Sequence, residues 1–454
     1  MKTMDMTQGK PLGLLVRFAV PLFFSNICQS LYAVADSAVV GQFLGVNAFA
    51  AVGAAGTVSW MVIDVIIGLT QGFGVLYAQR FGGHDTGALR RAIGSSIWVA
   101  LVLGAALSLA GVLGAGPMLR AIDTPEELVA DATVYLQWLF GGALITMAYN
   151  VAGKLLSALG NSRTPLVAVI LASVLNVLLD VVFVALFHWG VAGVAAATVT
   201  AQLFSFFFCL WKLSSIGEVR LSRQDLRPDR AQVWELLRLG APLGFRNGII
   251  SIGGLFVQRM INSYGTIFVA GTAAAMKYFD LMQLVAGALD GAFATYSAQN
   301  YGVRNLPRIR AGMKCVRRVA LAAAVVTAGL AALFGRQMIG LLVTGTPEEM
   351  AQITQIGYED LLVIGAGLIP LYLLYLYRSG LQGMGNALVP MLSGFVELGL
   401  RLVSVAFLPL WLGRWGVYMA YAAGWAGAFL LLCLSYYCVL HKRERAFTKD
   451  RTPS

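Results

Sequence analysis

The feature that most constrains this 454-residue chain is an internal repeat, because motifs of its first half return about 220 residues later. The matched pairs are FAVP at 18–21 with LGAP at 239–242, AQRFG at 78–82 with AQNYG at 298–302, and LGNSRTP at 159–165 with MGNALVP at 384–390. Halves repeated in this way, with a binding site where they meet, are a recurring construction of secondary transporters.

Composition places both halves in a membrane. Hydrophobic residues make up 58% of the chain, charged residues only 12%, and the mean hydropathy is +0.74. Apolar stretches of 20 or more residues are long enough to cross a hydrocarbon core of about 30 Å. We therefore expect an all-α polytopic membrane protein with twelve transmembrane helices in two pseudo-symmetric six-helix lobes. The predicted spans are 14–40, 52–79, 92–116, 132–158, 164–187, 190–212, 236–263, 268–298, 316–343, 358–384, 388–411 and 416–440.

The net charge of +11 reflects topology rather than nucleic-acid binding. Of the 33 Lys and Arg residues, 26 are assigned to the termini and the even-numbered connections. Basic residues concentrate on the cytoplasmic side of membrane proteins, so both termini are expected to be cytoplasmic. The expected location is a plasma membrane of the bacterial or archaeal type. The odd-numbered connections hold only Arg120, Arg336 and Arg414, and the four basic residues assigned to spans are Arg246, Arg259, Lys277 and Arg401.

The polar stretch 213–235 is the predicted cytoplasmic linker between the lobes. It divides the chain into an N-terminal lobe, 1–212, and a C-terminal lobe with a short tail, 236–454. Six is an even number, so both halves would enter the membrane in the same orientation, related by an axis along its normal. The N-terminus lacks a short apolar segment with a small-residue cleavage site, and no removable signal peptide is expected.

Five scattered cysteines and three scattered histidines show no metal-ligand spacing, which argues against a zinc site or a disulfide framework.

Acids within the spans carry the functional argument, because ionisable groups in a membrane are costly and face the bundle interior or an aqueous cavity. The first half has Asp36, Asp64 and Asp180, with no basic residue assigned to its spans. The second half has Asp280, Asp290 and Glu397 together with basic residues. Acids without basic neighbours must bind a proton or a metal cation. The first half is therefore predicted to titrate.

Three polar residues are expected to gather around Asp180. Asn176 lies one helical turn before it, Thr198 lies in the next span after a short turn, and Asp36 lies on the first helix. Carboxylate, amide and hydroxyl oxygens suit a hard cation such as Na⁺, and the same carboxylates could instead carry a proton.

These features resemble the MATE (multidrug and toxic compound extrusion) family of transporters over nearly the whole chain. The resemblance rests on the FAVP opening, on Asp36, on Gln79 and Gln299 with the glycines that follow them, and on the motif LQGMG at 381–385 with Glu397 and Arg401.

The resemblance implies a cation site. In one branch of the family, two Asp, an Asn and a Thr of the N-terminal lobe bind the coupling ion; they match Asp36, Asp180, Asn176 and Thr198. In another branch a Glu and an Asp of the C-terminal lobe do so, and here those places fall near Ile250 and Tyr372, which cannot bind a cation. Coupling in the N-terminal lobe is therefore expected.

Other residues are candidates for a substrate cavity or a gate. Lys277 with Asp280 and Glu397 with Arg401 are spaced for ion pairs within one helix, which favours a structural role over substrate contact. Asp64 has no motif partner, and Tyr372 fits a drug-binding cavity and helix packing equally well.

The complete interpretation is a cation-coupled antiporter, not an enzyme. It would export amphipathic, often cationic, organic compounds by alternating access, driven by H⁺ or Na⁺ and without another cofactor. Small organic molecules and bilayer lipids are its expected partners, nucleic acid is not, and a monomer is expected. The alternatives are a lipid-linked oligosaccharide flippase of the same superfamily, a channel or receptor, and an intramembrane enzyme.

Overall fold

The computed structural model describes residues 3–343 and 345–449, and in this part of the chain the ordered elements are helices. Long helices form where apolar residues run without a break, since each backbone group must be paired within its own segment. The α-helices are α1 Pro11–Phe43, α2 Gly45–Gly82, α3 Thr86–Ala121, α4 Glu126–Gly141, α5 Ala143–Ala158, α6 Arg163–Val181, α7 Gly190–Ser214, α8 Arg230–Ser263, α9 Thr266–Gly302, α10 Leu306–Gly340, α11 Pro347–Gly383, α12 Leu388–Leu412 and α13 Arg414–Lys449.

The twelve-helix expectation is confirmed when α4 and α5 are counted as one bent helix. Among the described residues, nine helices are long and apolar enough to span a membrane on their own, and the α4–α5 pair would make a tenth. The other two, α8 and α9, are less apolar because they carry charges such as Arg246 and Asp290.

The fourth span is broken at the pair Gly141–Gly142, where α4 and α5 meet at 45°. Glycine pairs are common sites of sharp helix kinks. A Cβ atom on Gly142 would lie 2.5 Å from a methyl group of Val199 on α7. Glycine at this position therefore lets α7 pack directly against the break.

The connection between α7 and α8 is shorter than the predicted linker, because α8 begins at Arg230. The connection is held against α3: the Trp98 indole donates to the Leu226 carbonyl at 2.8 Å, and the Asp229 amide donates to Ser95 Oγ at 3.1 Å. Hydrogen bonds from Ser222 lower the pKa of the Asp225 carboxyl below its usual value. The connection is thus held in place by hydrogen bonds to α3 of the same unit.

Contacts divide the chain into two compact units. One takes in the described residues up to Met6 and Val20–Gly244; the other takes in Thr7–Ala19 and the described residues from Phe245 onward. Both boundaries within helices lie beside a proline, Pro21 in α1 and Pro242 in α8. A proline removes one backbone hydrogen bond and loosens the helix at that point. Each boundary therefore lies within a few residues of a proline that weakens its helix.

Candidate functional site

Two buried carboxyl groups form the centre of the candidate site in the first unit. Asp36 on α1 is 9% exposed and Asp180 near the end of α6 is fully buried. Their carboxyl groups lie against each other, close enough to share a hydrogen bond when one of them carries a proton. Two carboxylates in contact cannot both stay ionised without a cation, since like charges repel strongly in a medium of low dielectric.

The oxygens of this pair lack ordinary hydrogen-bond donors. In the part of the chain that the structure describes, no donor reaches Asp36 Oδ1 or either carboxylate oxygen of Asp180. No Lys or Arg there is among the groups that interact with either acid. Buried polar atoms are normally paired, so these orphaned oxygens suit a proton or a metal cation.

Asn176 and Thr198 complete the set of oxygens predicted from the sequence. Asn176 is fully buried one turn before Asp180, and neither its amide oxygen nor its amide nitrogen has a partner among the described residues. Thr198 on α7 lies beside the hydroxyl of Tyr32, with 3.0 Å between the two oxygens. Tyr32 in turn interacts with both Asp36 and Asp180. The structure therefore connects Thr198 to the acid pair through Tyr32.

Two tyrosines at the site escaped the sequence analysis. Tyr32 lies one turn before Asp36 on α1, and Tyr135 on α4 interacts with Asp36, Asp180 and Tyr32. The spacing of four residues between Tyr32 and Asp36 could have indicated a shared helix face. Nothing in the sequence marks Tyr135, which reaches the site only because α4 packs against α2 and α7.

A five-residue π-helical segment, Val182–Leu186, follows Asp180 directly. Short π segments within helices often occur at functional sites. Here the wider turn leads into a tight connection in which Phe183 stacks on Trp189, with 4.9 Å between ring centroids. This aromatic contact holds the connection between α6 and α7 in place. It therefore helps to set the position of Thr198 on α7 relative to Asp180 on α6.

The list of membrane-embedded basic residues made from the sequence was incomplete. Arg378 was left out of the basic residues assigned to spans, although the predicted span 358–384 contains it; it lies within α11, is 7% exposed, and pairs with Asp290 at 3.5 Å. In the first half, half-buried Lys154 lies in α5 and packs against Gly74. The claim that the first half has no basic residue in a span is therefore wrong, although Lys154 is not among the groups acting on the acid pair.

The two predicted ion pairs of the second half turn out differently. Glu397 and Arg401 form a buried ion pair, and the Arg401 guanidinium also lies 4.7 Å from the Tyr421 ring centroid. Lys277 and Asp280 are both exposed on the surface of their unit and form no ion pair within 4 Å. The Asp280 carboxylate instead accepts a hydrogen bond from Gln283 at 3.3 Å. The predicted salt bridge between Lys277 and Asp280 is therefore absent, although the Lys277 charge still acts on the Asp280 carboxylate.

The two remaining candidates are Tyr372 and Asp64. Tyr372 is 1% exposed and donates a 2.6 Å hydrogen bond to the Met282 carbonyl, which holds α11 against α9. Asp64 is half-buried on α2.

The repeat shows that the acid pair belongs to one half only. At the offsets of the matched motifs, Asp36 corresponds to Val257 and Asp180 to Val405. Both valines are buried in one apolar cluster of the second unit. The second unit has thus replaced the acids with a packed apolar core.

Comparison with known proteins identifies the family. The MatE family model matches residues 21–182 and 242–407. The chain is 31% identical over 313 residues to the probable multidrug resistance protein YpnP of Bacillus subtilis, covering 68% of this chain and 69% of that protein. It is 24% identical to the probable multidrug resistance protein NorM of Thermotoga maritima, with 87% and 84% covered.

Solved structures agree on the fold. A crystal structure of MATE in complex with MaL6 superposes with a TM-score of 0.89 at 22% identity, covering 98% of this chain and 100% of that one. Together with the family-model match, which covers both halves of the repeat, this confirms the resemblance inferred from the motifs: the chain belongs to the MATE family of transporters.

Proposed function

We propose that this transporter is a cation-coupled antiporter that exports amphipathic, often cationic, organic compounds by alternating access. The observation that carries the proposal is the contact between Asp36 and Asp180, two buried acids without a basic partner in the described chain. Relatives named as multidrug resistance proteins support efflux of organic compounds.

The acid pair supplies a physical reason for coupling. With a cation bound, the charge at Asp36 and Asp180 is reduced and the site is stable away from water. When the cation leaves, two adjacent carboxylates remain in a medium of low dielectric, which is strongly unfavourable. The empty pair therefore has to rebind a cation or bring in water. Either event favours one access state over the other, so that ion release and substrate exchange are linked.

The chemistry of the site accommodates both candidate ions. A proton needs only one carboxylate oxygen. Na⁺ needs several oxygens at once, which Asp36, Asp180, Asn176 and Thr198 could supply as hard ligands. The choice between the ions then depends on how much transport relies on the two neutral side chains.

The test is export by purified protein in vesicles under separate H⁺ and Na⁺ gradients. Asp36→Asn and Asp180→Asn should each lower gradient-driven export by about tenfold or more, because they remove a group that must alternate between loaded and empty. Folded protein should remain, since neither change leaves a cation unpaired. Asp131→Asn, at an exposed position on α4, is the matched control and should transport normally.

The transport rates of Asn176→Ala and Thr198→Ala show whether the coupling ion is H⁺ or Na⁺. Both should be mild under an H⁺ gradient if the proton is the coupling ion, and both should be severe if Na⁺ is. Wild-type coupled export by Asp36→Asn would contradict the proposal.

A further inference from the structure

Arg246 is a buried cation without a carboxylate of its own. It lies on α8 and is 3% exposed. Its Nε and one terminal nitrogen both donate to Asn247 Oδ1, at 3.2 and 2.6 Å. The other terminal nitrogen is buried and has no partner among the described residues. An amide oxygen carries no net charge, so Arg246 keeps an uncompensated positive charge.

The neighbouring charges are already engaged with each other. Arg378 pairs with Asp290, and Arg401 pairs with Glu397. The groups that act on Arg246 are Arg378, Asp290, Glu397 and Tyr375. Asp280 and Asp360 act on Tyr421 and are not among them. Three arginines therefore share two carboxylates in this part of the second unit, which leaves one positive charge.

The residues around Arg246 leave space for its side chain. A Cβ atom on Gly394 of α12 would lie 2.8 Å from Cγ of Arg246, so a larger residue there would displace the arginine stem. The Arg378 guanidinium is braced nearby, 4.1 Å from the ring centroid of Tyr375. Arg246 is thus held between packed helices and cannot extend into bulk water.

An isolated cation inside a membrane protein is costly, and an anionic group is its natural partner. The planar guanidinium suits the paired oxygens of a carboxylate or phosphate, and such charge-assisted bonds are strongest where water is excluded. We propose that Arg246 binds an anionic group, a carboxylate or a phosphate carried by the transported compound. This rests on the proposed export function and narrows its substrates to compounds that bear such a group.

Binding of two matched dyes tests this without any ion gradient. Rhodamine 110 has a free carboxylate, and rhodamine 123 is its methyl ester with the same ring system. Fluorescence polarisation with purified wild-type protein should show about tenfold tighter binding of rhodamine 110, the ratio expected from one charged hydrogen bond. Arg246→Gln should bring the two affinities together. Arg336→Gln, which removes an exposed arginine of the same unit, should keep the preference.

Equal wild-type affinities, or a preference that survives in Arg246→Gln, would overturn the proposal. If Arg246→Gln does not fold, Arg246→Lys serves instead; it keeps the charge but loses the planar fork, and it should weaken the preference. Repeating the assay over a range of chloride concentrations separates a free inorganic anion from a substrate group. If chloride raises the thermal stability of the wild type but not of Arg246→Gln, and both dyes bind equally, the group is an inorganic ion and the narrowing of substrates is wrong.

The result of the dye-binding assay does not depend on whether export is coupled to a cation gradient. Normal gradient-driven export by Asp36→Asn would remove the antiport mechanism but leave the dye preference intact. Loss of the dye preference alone would leave coupled export standing.

Discussion

At the scale of single residues, two acids of similar sequence context have different surroundings. Glu397 is buried with Arg401, whereas Asp280 is exposed on its unit with one hydrogen bond from Gln283. Both sit three or four residues from a basic residue, so spacing alone could not separate them. Burial separates them, because removing one partner of a buried ion pair leaves a charge without compensation.

Glu397→Gln should therefore lower the free energy of unfolding on the order of 3–5 kcal/mol, since Arg401 would lose its carboxylate while still buried. Asp280→Asn should change it by about 0.5 kcal/mol or less, as expected at an exposed position. Thermal unfolding of each purified variant, with the yield of monodisperse protein as a second readout, measures both. Equal losses in the two variants would show that burial does not distinguish these acids.

At the scale of elements, α2 and α8 approach each other at glycines within the first unit. A Cβ atom on Gly72 would lie 2.4 Å from the backbone of Gly240, and one on Gly68 would lie 2.5 Å from the Leu243 carbonyl. Small residues let membrane helices pack closely in this way. The obstacle at both positions is backbone, which cannot rotate aside as a side chain can.

Gly72→Ala should for this reason destabilise the protein by about 1–3 kcal/mol, the usual consequence of overpacking. Gly56→Ala on the same helix is the control, because a Cβ atom there meets nothing within 4 Å and alanine favours the helix. The thermal midpoint of each variant gives the comparison. A Gly72→Ala protein as stable as Gly56→Ala would mean that the α2–α8 contact is looser than described.

At the scale of the whole molecule, the distribution of basic residues predicts which ends of the helices face the cytoplasm. Arg220, in the connection between α7 and α8, and Arg445, near the end of α13, are predicted to lie on the cytoplasmic side, whereas Arg120, in the last turn of α3, is predicted to lie on the opposite side. Positive charge is retained on the cytoplasmic side during insertion.

Cysteines placed at positions 220 and 445 should therefore resist a membrane-impermeant thiol reagent in intact cells, and a cysteine at position 120 should react. The background should first lack the native Cys28, Cys209, Cys315, Cys433 and Cys438. Each of the three variants should react after the membrane is permeabilised, which controls for access. Labelling of position 220 or 445 from outside would contradict the predicted orientation.

The sequence by itself determined that this is a membrane protein built from two similar halves. Hydropathy decides which segments enter the bilayer, and the internal repeat is visible in the order of the residues. The apolar runs predicted the spans, the repeat predicted the lobes, and the motifs indicated the family. Asp36, Asn176 and Asp180 could be proposed together, since a four-residue spacing places Asn176 and Asp180 on one helix face and the acids lacked an obvious counter-charge.

Only the tertiary structure decided which charges meet. It brought Tyr135 to the acid pair, put Arg378 beside Asp290, formed no salt bridge between Lys277 and Asp280, and paired Arg246 with the Asn247 amide and not with a carboxylate. These outcomes depend on how helices far apart in the sequence rotate and pack against one another. A single helix sequence fixes the spacing along its own faces, but it carries no record of the side chains that its neighbours will present.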